Sequence, residues 1–573
     1  MKSSEKIIFS PFVLIVVLVL IYSNKSESAT VVVDTSIKYQ IFEGWGTSLC
    51  WWAHQEGGGS QAYLNKIADV LMDPDSGLGY NIFRYNIGGG DQAGHTEIEA
   101  SRAVPGYKTN EDSAYNWNAD LNQRNIVAAL AAKGKKIQQE VIWEAFSNSP
   151  PWWMTVSGCA DGNPTGADNL KSTYFDKFAD YLTEVVKHFK DNWGITFRTV
   201  EPFNEPSAGW WKGSNNQEGC NFKNEQPRMV KSLGKSLVAK GLFPTTQVSV
   251  ADENSISAAI SGIKTYDDSA LSYISQLNTH GYSGRSTANF TSMASFAASK
   301  KKTLWMSESG PLSGTGGQDI SMFMAQNIIE DLKIMKVSAW IDWQSYAGGG
   351  NWETINVDKS TLAVVPSKRC YMQAAFGRFI RPGSQIIESN DSNTIAALVP
   401  QTGNLVVIVR NGGTASVNYT FDLSKVGRLP GSVHVYQFLV LSYKVLSKLP
   451  DVSIANKQFA ITVPAQSVTS CAIPGVIDPV ATAPQIDFQN NLSHDDVVSI
   501  QNKRTLNFYL PYADEFDLIL LSSSGRMIKS IHGQGIKGIN KIDIGRYCLV
   551  NGLYLVQTQQ RGVKKRGVVN VIN

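Results

Sequence analysis

The chain has 573 residues, which is too long for one compact core, so several domains are expected. Hydrophobic residues make up 43% and charged residues 18%, a balance that suits folded domains and argues against extensive disorder. The net charge of +3 is too near neutral to favour nucleic acid or an anionic membrane surface as a partner. Many of the fourteen tryptophans lie in Gly-rich or polar stretches, where exposed rings suit stacking on sugars.

The N-terminus predicts a secretory signal peptide over residues 1–28. Lys2 and Lys6 precede an unbroken apolar run, 12–22, and a polar segment follows whose small residues permit cleavage after Ser28. This run is too short to span a bilayer, so an uncleaved anchor is the less favoured alternative. We therefore expect a secreted, extracellular protein, or one attached to the cell surface, with no stable membrane insertion after signal removal.

Eight short apolar or β-branched segments follow, and most are separated by stretches with apolar residues at helical spacing. Such alternation over about 300 residues predicts an α/β fold, and eight repeats favour a closed (β/α)8 barrel, assigned to 29–360. The predicted barrel strands are 40–45, 82–86, 136–146, 199–203, 247–251, 277–280, 303–307 and 339–344.

The pattern changes after the barrel. Short β-type runs separated by Gly, Asn, Pro and Ser predict an antiparallel β-sandwich over 361–475, and a first strand-like run, 30–33, could join its sheet. A Pro-containing stretch, 476–487, is interpreted as a linker to a small β domain over 488–573.

The six cysteines show neither Cys-x-x-Cys nor His-rich spacing, so no metal site and no cofactor are expected. Export permits disulfides. Cys159 and Cys220 fall in loops after consecutive predicted strands, which makes them the favoured pair among many possible ones.

Two glutamates at the ends of the fourth and seventh predicted strands form the candidate catalytic pair. Glu205 lies in Asn-Glu-Pro, and Glu308 follows Trp-Met-Ser. Barrel active sites are built at the C-terminal ends of the strands. Retaining glycoside hydrolysis needs two carboxyl groups about 5 Å apart, one as acid/base and one as nucleophile. Either glutamate alone would more often be a solvated surface charge, but their joint placement predicts Glu205 as acid/base and Glu308 as nucleophile.

Three neighbours have predicted roles beside this pair. Arg84 is expected to keep Glu308 ionised, unless it is only a structural salt-bridge partner. Asn204 is expected to hydrogen-bond the 2-hydroxyl of the sugar. The phenol of Tyr282 is expected to hold the second oxygen of the nucleophile, the alternative being a core position.

Further candidates for substrate contact share the same predicted barrel face. For each the alternative is a packing or hydrogen-bonding role within the protein, and for the carboxyl group this alternative is favoured. These candidates are Glu144, Trp153, Trp211, His280 and Trp343.

The motifs at these strand ends resemble glycoside hydrolase family 30, and within it the endo-β-1,6-galactanase subgroup. The resemblance covers about residues 30–475 and is carried by 42–52, 83–89, 144–151, 202–206, 211–220 and 305–308. It implies a barrel fused to a side β-sandwich, acid/base chemistry at Glu205, nucleophilic attack by Glu308, and β-1,6-galactan side chains of arabinogalactan as the polysaccharide substrate. Ser309, where an aromatic residue is expected, and 207–211 depart from the family pattern and bear on the substrate.

Residues 515–573 resemble a type IX secretion sorting domain, which would imply contact with secretion machinery. The alternative for this tail is a carbohydrate-binding module. For the whole chain, two other functions stay open: another retaining family 30 β-glycosidase (a β-1,6-glucanase, glucosylceramidase or xylanase), or a carbohydrate-binding protein without catalysis.

Overall fold

The computed structural model describes residues 27–311, 319–442 and 445–477 and, with short gaps, 499–571. The predicted signal peptide up to residue 26 and the predicted linker from residue 478 onward lie outside the described residues. No helix in the described part of the chain has the length and apolarity needed to cross a bilayer.

The chain opens with strand β1, Glu27–Ile41, which lies in a large sheet outside the barrel. The first barrel strand is β2, Gly44–Ser48, so the prediction of a barrel strand at 40–45 was too early. Gly44 explains the break, since it has a φ of +148° and a β-carbon there would lie 1.8 Å from Oδ1 of Asn81. The chain turns at this glycine from one sheet into the other.

Eight parallel strands form a closed barrel, which confirms the predicted fold class. The ring closes where β2 pairs with the last strand, Gly44 opposite Ala339. After β2 the barrel strands are β3 Ile82–Asn86, β4 Ile142–Phe146, β5 Thr199–Glu201, β6 Gln247–Ser255, β7 Ile274–Ser283, β8 Thr303–Ser309 and β9 Ala339–Asp342.

Helices surround the barrel and bury one face each against it. In the fourth helix Phe178, Leu182, Val185 and Phe189 recur at helical spacing and are buried. The helices are α1 Trp52–Glu56, α2 Gln61–Met72, α3 Leu121–Lys136, α4 Phe175–Trp193, α5 Gln226–Ala239, α6 Ile256–Ile263, α7 Asp268–Leu271, α8 Thr287–Lys300, α9 Ile320–Glu330 (continued by a π-turn over Asp331–Met335) and α10 Lys368–Gly377.

Two strand predictions were too long, and both errors have a local cause. The segment 136–146 begins at the last residue of α3, and only β4 is extended. The segment 199–203 ends as a strand at Glu201. The residues that follow form the loop that carries Glu205.

A hairpin and α10 link the barrel to the second sheet, where the sequence predicted the sandwich to begin directly. The hairpin strands are β10 Ile355–Asp358 and β11 Ala363–Pro366. The sheet strands are β12 Gln385–Ser389, β13 Thr394–Val399, β14 Asn404–Asn411, β15 Val417–Lys425, β16 Ser432–Leu439, β17 Ser447–Lys448, β18 Val452–Ser453, β19 Gln458–Val463 and β20 Ser467–Ile473.

This sheet includes β1, as the sequence allowed, between β12 and β15. It differs from the purely antiparallel prediction because β1 runs parallel to β15. Side chains alternate along β14: Val407 and Val409 belong to the core of the sheet domain itself, whereas Val406 and Ile408 pack into the barrel core. The sheet domain therefore has its own core and also contacts the barrel.

The C-terminal residues form two small sheets around a core that includes Phe508, Phe516 and Val556. Their strands are β21 Ser499–Gln501, β22 Thr505–Leu510, β23 Glu515–Ser522, β24 Met527–Gln534, β25 Gly538–Asp543, β26 Gly552–Gln560 and β27 Val563–Val571.

The predicted Cys159–Cys220 disulfide is wrong, because both cysteines are free. Cys220 is buried in the barrel core, whereas Cys159 lies partly exposed in the loop after β4. Neighbouring positions at one barrel face therefore did not bring the two thiols together.

Candidate active site

Glu308 lies near the end of β8, the seventh barrel strand, and is only 3% exposed. Arg84 donates from Nη1 to its Oε1 at 3.1 Å, and the Tyr282 hydroxyl donates to its Oε2 at 3.2 Å. Nδ1 of His280 also lies 3.2 Å from Oε2. Burial raises the pKa of Glu308 to about 7, against the opposing effect of the His280 and Arg84 cations.

Glu205 lies in the loop after β5, the fourth barrel strand, with a left-handed φ of +50°. Two backbone contacts hold this conformation: its N–H donates to the carbonyl of Asp252 at 2.8 Å, and its carbonyl accepts from Nε1 of Trp211 at 3.0 Å. The side chain then accepts from Nδ2 of Asn254 at 2.8 Å and from Nε1 of Trp210 at 3.1 Å. The carboxyl group is thereby fixed at the barrel mouth.

The two glutamates meet at His280. One oxygen of Glu205, one oxygen of Glu308 and one ring nitrogen of His280 all lie within 4.8 Å of one another. Nδ1 is 3.2 Å from Oε1 of Glu205 as well as from Glu308, and Nε2 is 3.5 Å from Oδ1 of Asp252. Burial by itself lowers the pKa of an imidazole, but the surrounding carboxylates outweigh it and raise the pKa of His280 to about 10. The ring is therefore a cation shared by the pair.

Below the pair, Arg84 joins side chains from several strands. Arg84 is fully buried. It donates from Nε to Oε1 of Glu144 at 2.7 Å and from Nη1 to the carbonyl of Ser307 at 3.0 Å. Its Nη2 also donates to Oδ2 of Asp252. Burial opposes ionisation of Asp252, yet the Arg84 and His280 charges lower the pKa of Asp252. We call Arg84, Glu144 and Asp252 the floor of the site.

A cleft of ≈ 330 Å³ opens above the floor. Three of the predicted substrate contacts line it, namely Asn204, Tyr282 and Trp343. Oδ1 of Asn204 is buried and has no hydrogen-bond partner among the described residues, so it is available to a sugar hydroxyl. The other lining residues are Trp51, Asn148, Glu205, Gln217, Asn254, Glu308 and Trp352.

Comparison with known proteins agrees with this geometry. The sequence profile of O-glycosyl hydrolase family 30 matches residues 28–294. An endo-β-1,6-galactanase from Hypocrea rufa is 32% identical over 443 residues, which is 72% of this chain and 87% of that protein. The chain belongs to glycoside hydrolase family 30. It is therefore a glycoside hydrolase, and a role restricted to carbohydrate binding is set aside.

Two further relatives show how far the similarity extends. An exo-β-1,6-galactobiohydrolase from Bifidobacterium longum subsp. longum is 23% identical over 603 residues, covering 76% of this hydrolase and only 39% of that protein. The catalytic domain of a family 30 xylanase C from Talaromyces cellulolyticus superposes with a TM-score of 0.60 at 19% identity, covering 78% of this chain and 100% of that one. The structural match shows the shared barrel and β domain.

Four predicted contacts of the hydrolase lie outside the cleft wall. His280 is fully buried beneath the catalytic pair. Glu144 is also fully buried. Its oxygens accept hydrogen bonds from Arg84, Thr199 and Gln276, so it does not reach a substrate. Trp153 packs edge-on to Tyr174 with ring centroids 6.3 Å apart. Trp211 is fully buried behind Glu205.

Three functional positions were missed by the sequence analysis. Trp210 is 44% exposed and holds Glu205, whereas Asp252 and Asn254 lie on β6, the fifth barrel strand. The polar run at the end of β6 was a usable signal, because barrel active sites collect residues from all strand ends. Ser309, noted as a departure from the family, is buried, and its carbonyl accepts from the backbone of Trp343 at 2.9 Å.

Proposed function

We propose that this family 30 hydrolase is a retaining endo-β-1,6-galactanase that cleaves the β-1,6-galactan side chains of arabinogalactan. The observation that carries the mechanism is the carboxyl pair, with oxygens of Glu205 and Glu308 within 4.8 Å of each other beside His280. Retaining enzymes place these groups about 5 Å apart, whereas inverting enzymes leave roughly 6.5–9.5 Å for a water molecule. The observed spacing supports a retaining mechanism for this enzyme.

The chemistry follows in two displacements. An oxygen of Glu308 bonds to the anomeric carbon while the glycosidic C–O bond breaks and the Glu205 proton passes to the leaving oxygen. Glu205 then takes a proton from water, whose oxygen bonds to the anomeric carbon as the Glu308 ester bond breaks. The product keeps the β configuration. Asn204 is placed to bind the 2-hydroxyl through its free Oδ1, and Trp343 to stack against a sugar face.

The substrate assignment is supported by the relatives. The names of the Hypocrea rufa and Bifidobacterium longum relatives both specify β-1,6-linked galactose, and the first of them exceeds 30% identity over most of both chains. Three tryptophans line the cleft, namely Trp51, Trp343 and Trp352, and Trp210 lies beside Glu205. These rings are apolar surfaces on which a polysaccharide could lie.

The test is product analysis on de-arabinosylated arabinogalactan, in parallel with β-1,6-glucan, glucuronoxylan and glucosylceramide. We expect β-1,6-galacto-oligosaccharides of several lengths from the first substrate alone. Release of galactobiose only would contradict endo action, and turnover confined to another substrate would contradict the galactan assignment. Glu308→Gln is the matched control, since it keeps the shape of the side chain and removes the nucleophile.

Stereochemistry tests the mechanism separately. Proton NMR of the first-formed product is expected to show the β anomer, with the α anomer appearing only later through mutarotation. Early appearance of the α anomer would mean inversion and would refute the roles given to Glu205 and Glu308.

We also propose that the protein is exported, on the strength of the predicted signal peptide. N-terminal sequencing of the secreted protein is expected to begin at Ala29, within β1. The interpretation of the C-terminal residues as a sorting domain stays a prediction. Deletion of residues 515–573 is expected to block release from a native host, and unchanged release would rule the sorting function out.

A further inference from the structure

A second cluster of reactive side chains lies at two loops of the barrel face. His95 belongs to the loop after β3, and Cys159 and Asp161 belong to the loop after β4. One ring nitrogen of His95, Sγ of Cys159 and one carboxylate oxygen of Asp161 all lie within 4.8 Å of one another. None of the three lines the catalytic cleft.

Two more carboxylates surround the histidine. Oδ2 of Asp91 is 2.7 Å from Nδ1 of His95, whereas Oε2 of Glu97 is 3.2 Å and Oδ2 of Asp161 is 3.9 Å from Nε2. A carboxylate on one ring nitrogen fixes the tautomer and directs the lone pair of the other nitrogen outward, which is the arrangement found behind histidine ligands of metals. Here that second nitrogen points at acidic oxygens, where a cation would fit.

The side-chain types in the cluster suit a metal ligand set. The side chain of Asp161 is only 2% exposed, and that of His95 is 13% exposed. A thiolate, an imidazole and carboxylates are ligands typical of Zn²⁺, whereas Ca²⁺ and Mg²⁺ prefer oxygen alone.

We propose that His95, Cys159 and Asp161 form a zinc site, with Asp91 holding the imidazole. The sequence analysis expected no metal because it looked for short local spacings, whereas these ligands come from two loops. The proposal is independent of the substrate and mechanism of the hydrolase.

The site's position suggests what the zinc would stabilise. Oδ2 of Asp161 accepts from the backbone N–H of Ser214 at 2.7 Å, which ties the cluster to the loop after β5. The loop after β5 also includes Gln217, which lines the cleft. Arg102, in the same loop as His95, donates a hydrogen bond to Oε1 of Gln217 at 3.3 Å. Zinc would therefore join three loops at one side of the cleft and act on stability and substrate affinity, not on the chemical step.

The experiment measures zinc retained by the full chain after equilibration with Zn²⁺ and gel filtration. We expect one equivalent in the wild type, and at least a tenfold loss in Cys159→Ser and His95→Gln. Two matched controls are expected to retain zinc: Cys220→Ser, a free buried cysteine elsewhere, and His54→Gln, whose ring pairs with a lone aspartate. Substitution by Co²⁺ is expected to give a thiolate-to-cobalt charge-transfer band that Cys159→Ser lacks.

Glu308→Gln separates this site from the catalytic triangle of Glu205, His280 and Glu308, which also gathers potential ligands. Zinc that survives in Cys159→Ser but is lost in Glu308→Gln would overturn the proposal, as would a wild type that retains none. Thermal unfolding gives a second measurement: Zn²⁺ is expected to raise the Tm of the wild type and leave that of Cys159→Ser unchanged. An equal rise in both proteins would contradict a site at Cys159.

Discussion

Replacing Tyr282 with phenylalanine tests how the site sets the ionisation of the nucleophile. The Tyr282 hydroxyl donates to Oε2 of Glu308 at 3.2 Å and stabilises only the ionised carboxylate. Hydrogen bonds to charged groups contribute about 1.5–3 kcal/mol, and the long distance here argues for the lower end. At 1.36 kcal/mol per unit, the loss raises the pKa of Glu308 by about one unit.

The expected effect is a shift of the acid limb of the pH profile. Because Glu308 attacks only when ionised, kcat/KM falls as the pH drops through its pKa, which is about 7 in the wild type. Tyr282→Phe should move this limb to about pH 8. At pH 6 the variant should therefore lose roughly tenfold more kcat/KM, relative to the wild type, than it loses at alkaline pH. The assay is kcat/KM on β-1,6-galacto-oligosaccharides over a range of pH.

A matched control exists at the surface. Tyr174 donates its hydroxyl to Oε2 of Glu111 at 2.6 Å, the same kind of contact made away from the cleft. Tyr174→Phe is expected to leave the pH profile unchanged. If Tyr282→Phe lowers activity equally at every pH and the acid limb stays in place, the hydroxyl does not set the ionisation of Glu308 and the reasoning fails.

Three other substitutions test neighbouring parts of the structure. Trp210→Phe removes the indole N–H that reaches Glu205 and should lower kcat/KM by roughly tenfold, with the Tm unchanged because the ring is 44% exposed. Gly219→Ala places a β-carbon 2.0 Å from an indole ring and should lower the free energy of unfolding by about 1–3 kcal/mol, measured by urea denaturation. Glu144→Gln removes a buried charge partner of Arg84 and should lower the free energy of unfolding by about 3–5 kcal/mol. Because Glu144 lies below the cleft, this substitution should lower kcat and change KM little.

Much of the barrel was predictable from the sequence because strand periodicity and strand order are local properties. β3 was predicted with the bounds that the structure shows, Ile82–Asn86. Glu205 and Glu308 were placed at the ends of the fourth and seventh strands because a parallel barrel gathers all C-terminal strand ends at one face. Chain order alone thus brought together two residues that lie 103 positions apart (308 − 205).

The direction of each loop side chain was not predictable in this way. Trp211 was expected to contact sugar, yet its ring packs onto Gly219, where only a residue without a side chain leaves room. Trp210, its neighbour, was overlooked and is the one that holds Glu205. Periodicity carries no information in an irregular loop, because adjacent side chains there point wherever the tertiary contacts allow.

The shared imidazolium suggests how the two carboxyl groups exchange roles during the proposed reaction. A negative charge on Glu205 is one of the effects that raise the pKa of Glu308, so the two carboxyl groups compete for His280 whenever both are ionised. In the first step of the proposed reaction Glu205 holds a proton and Glu308 is the ionised member of the pair. Formation of the glycosyl ester removes the negative charge of Glu308 just as Glu205 gives up its proton. The carboxylate left on Glu205 then has no like charge on Glu308 and does not share the His280 cation with it. Covalent catalysis at one glutamate thereby stabilises the other in the ionised form that it needs as a general base.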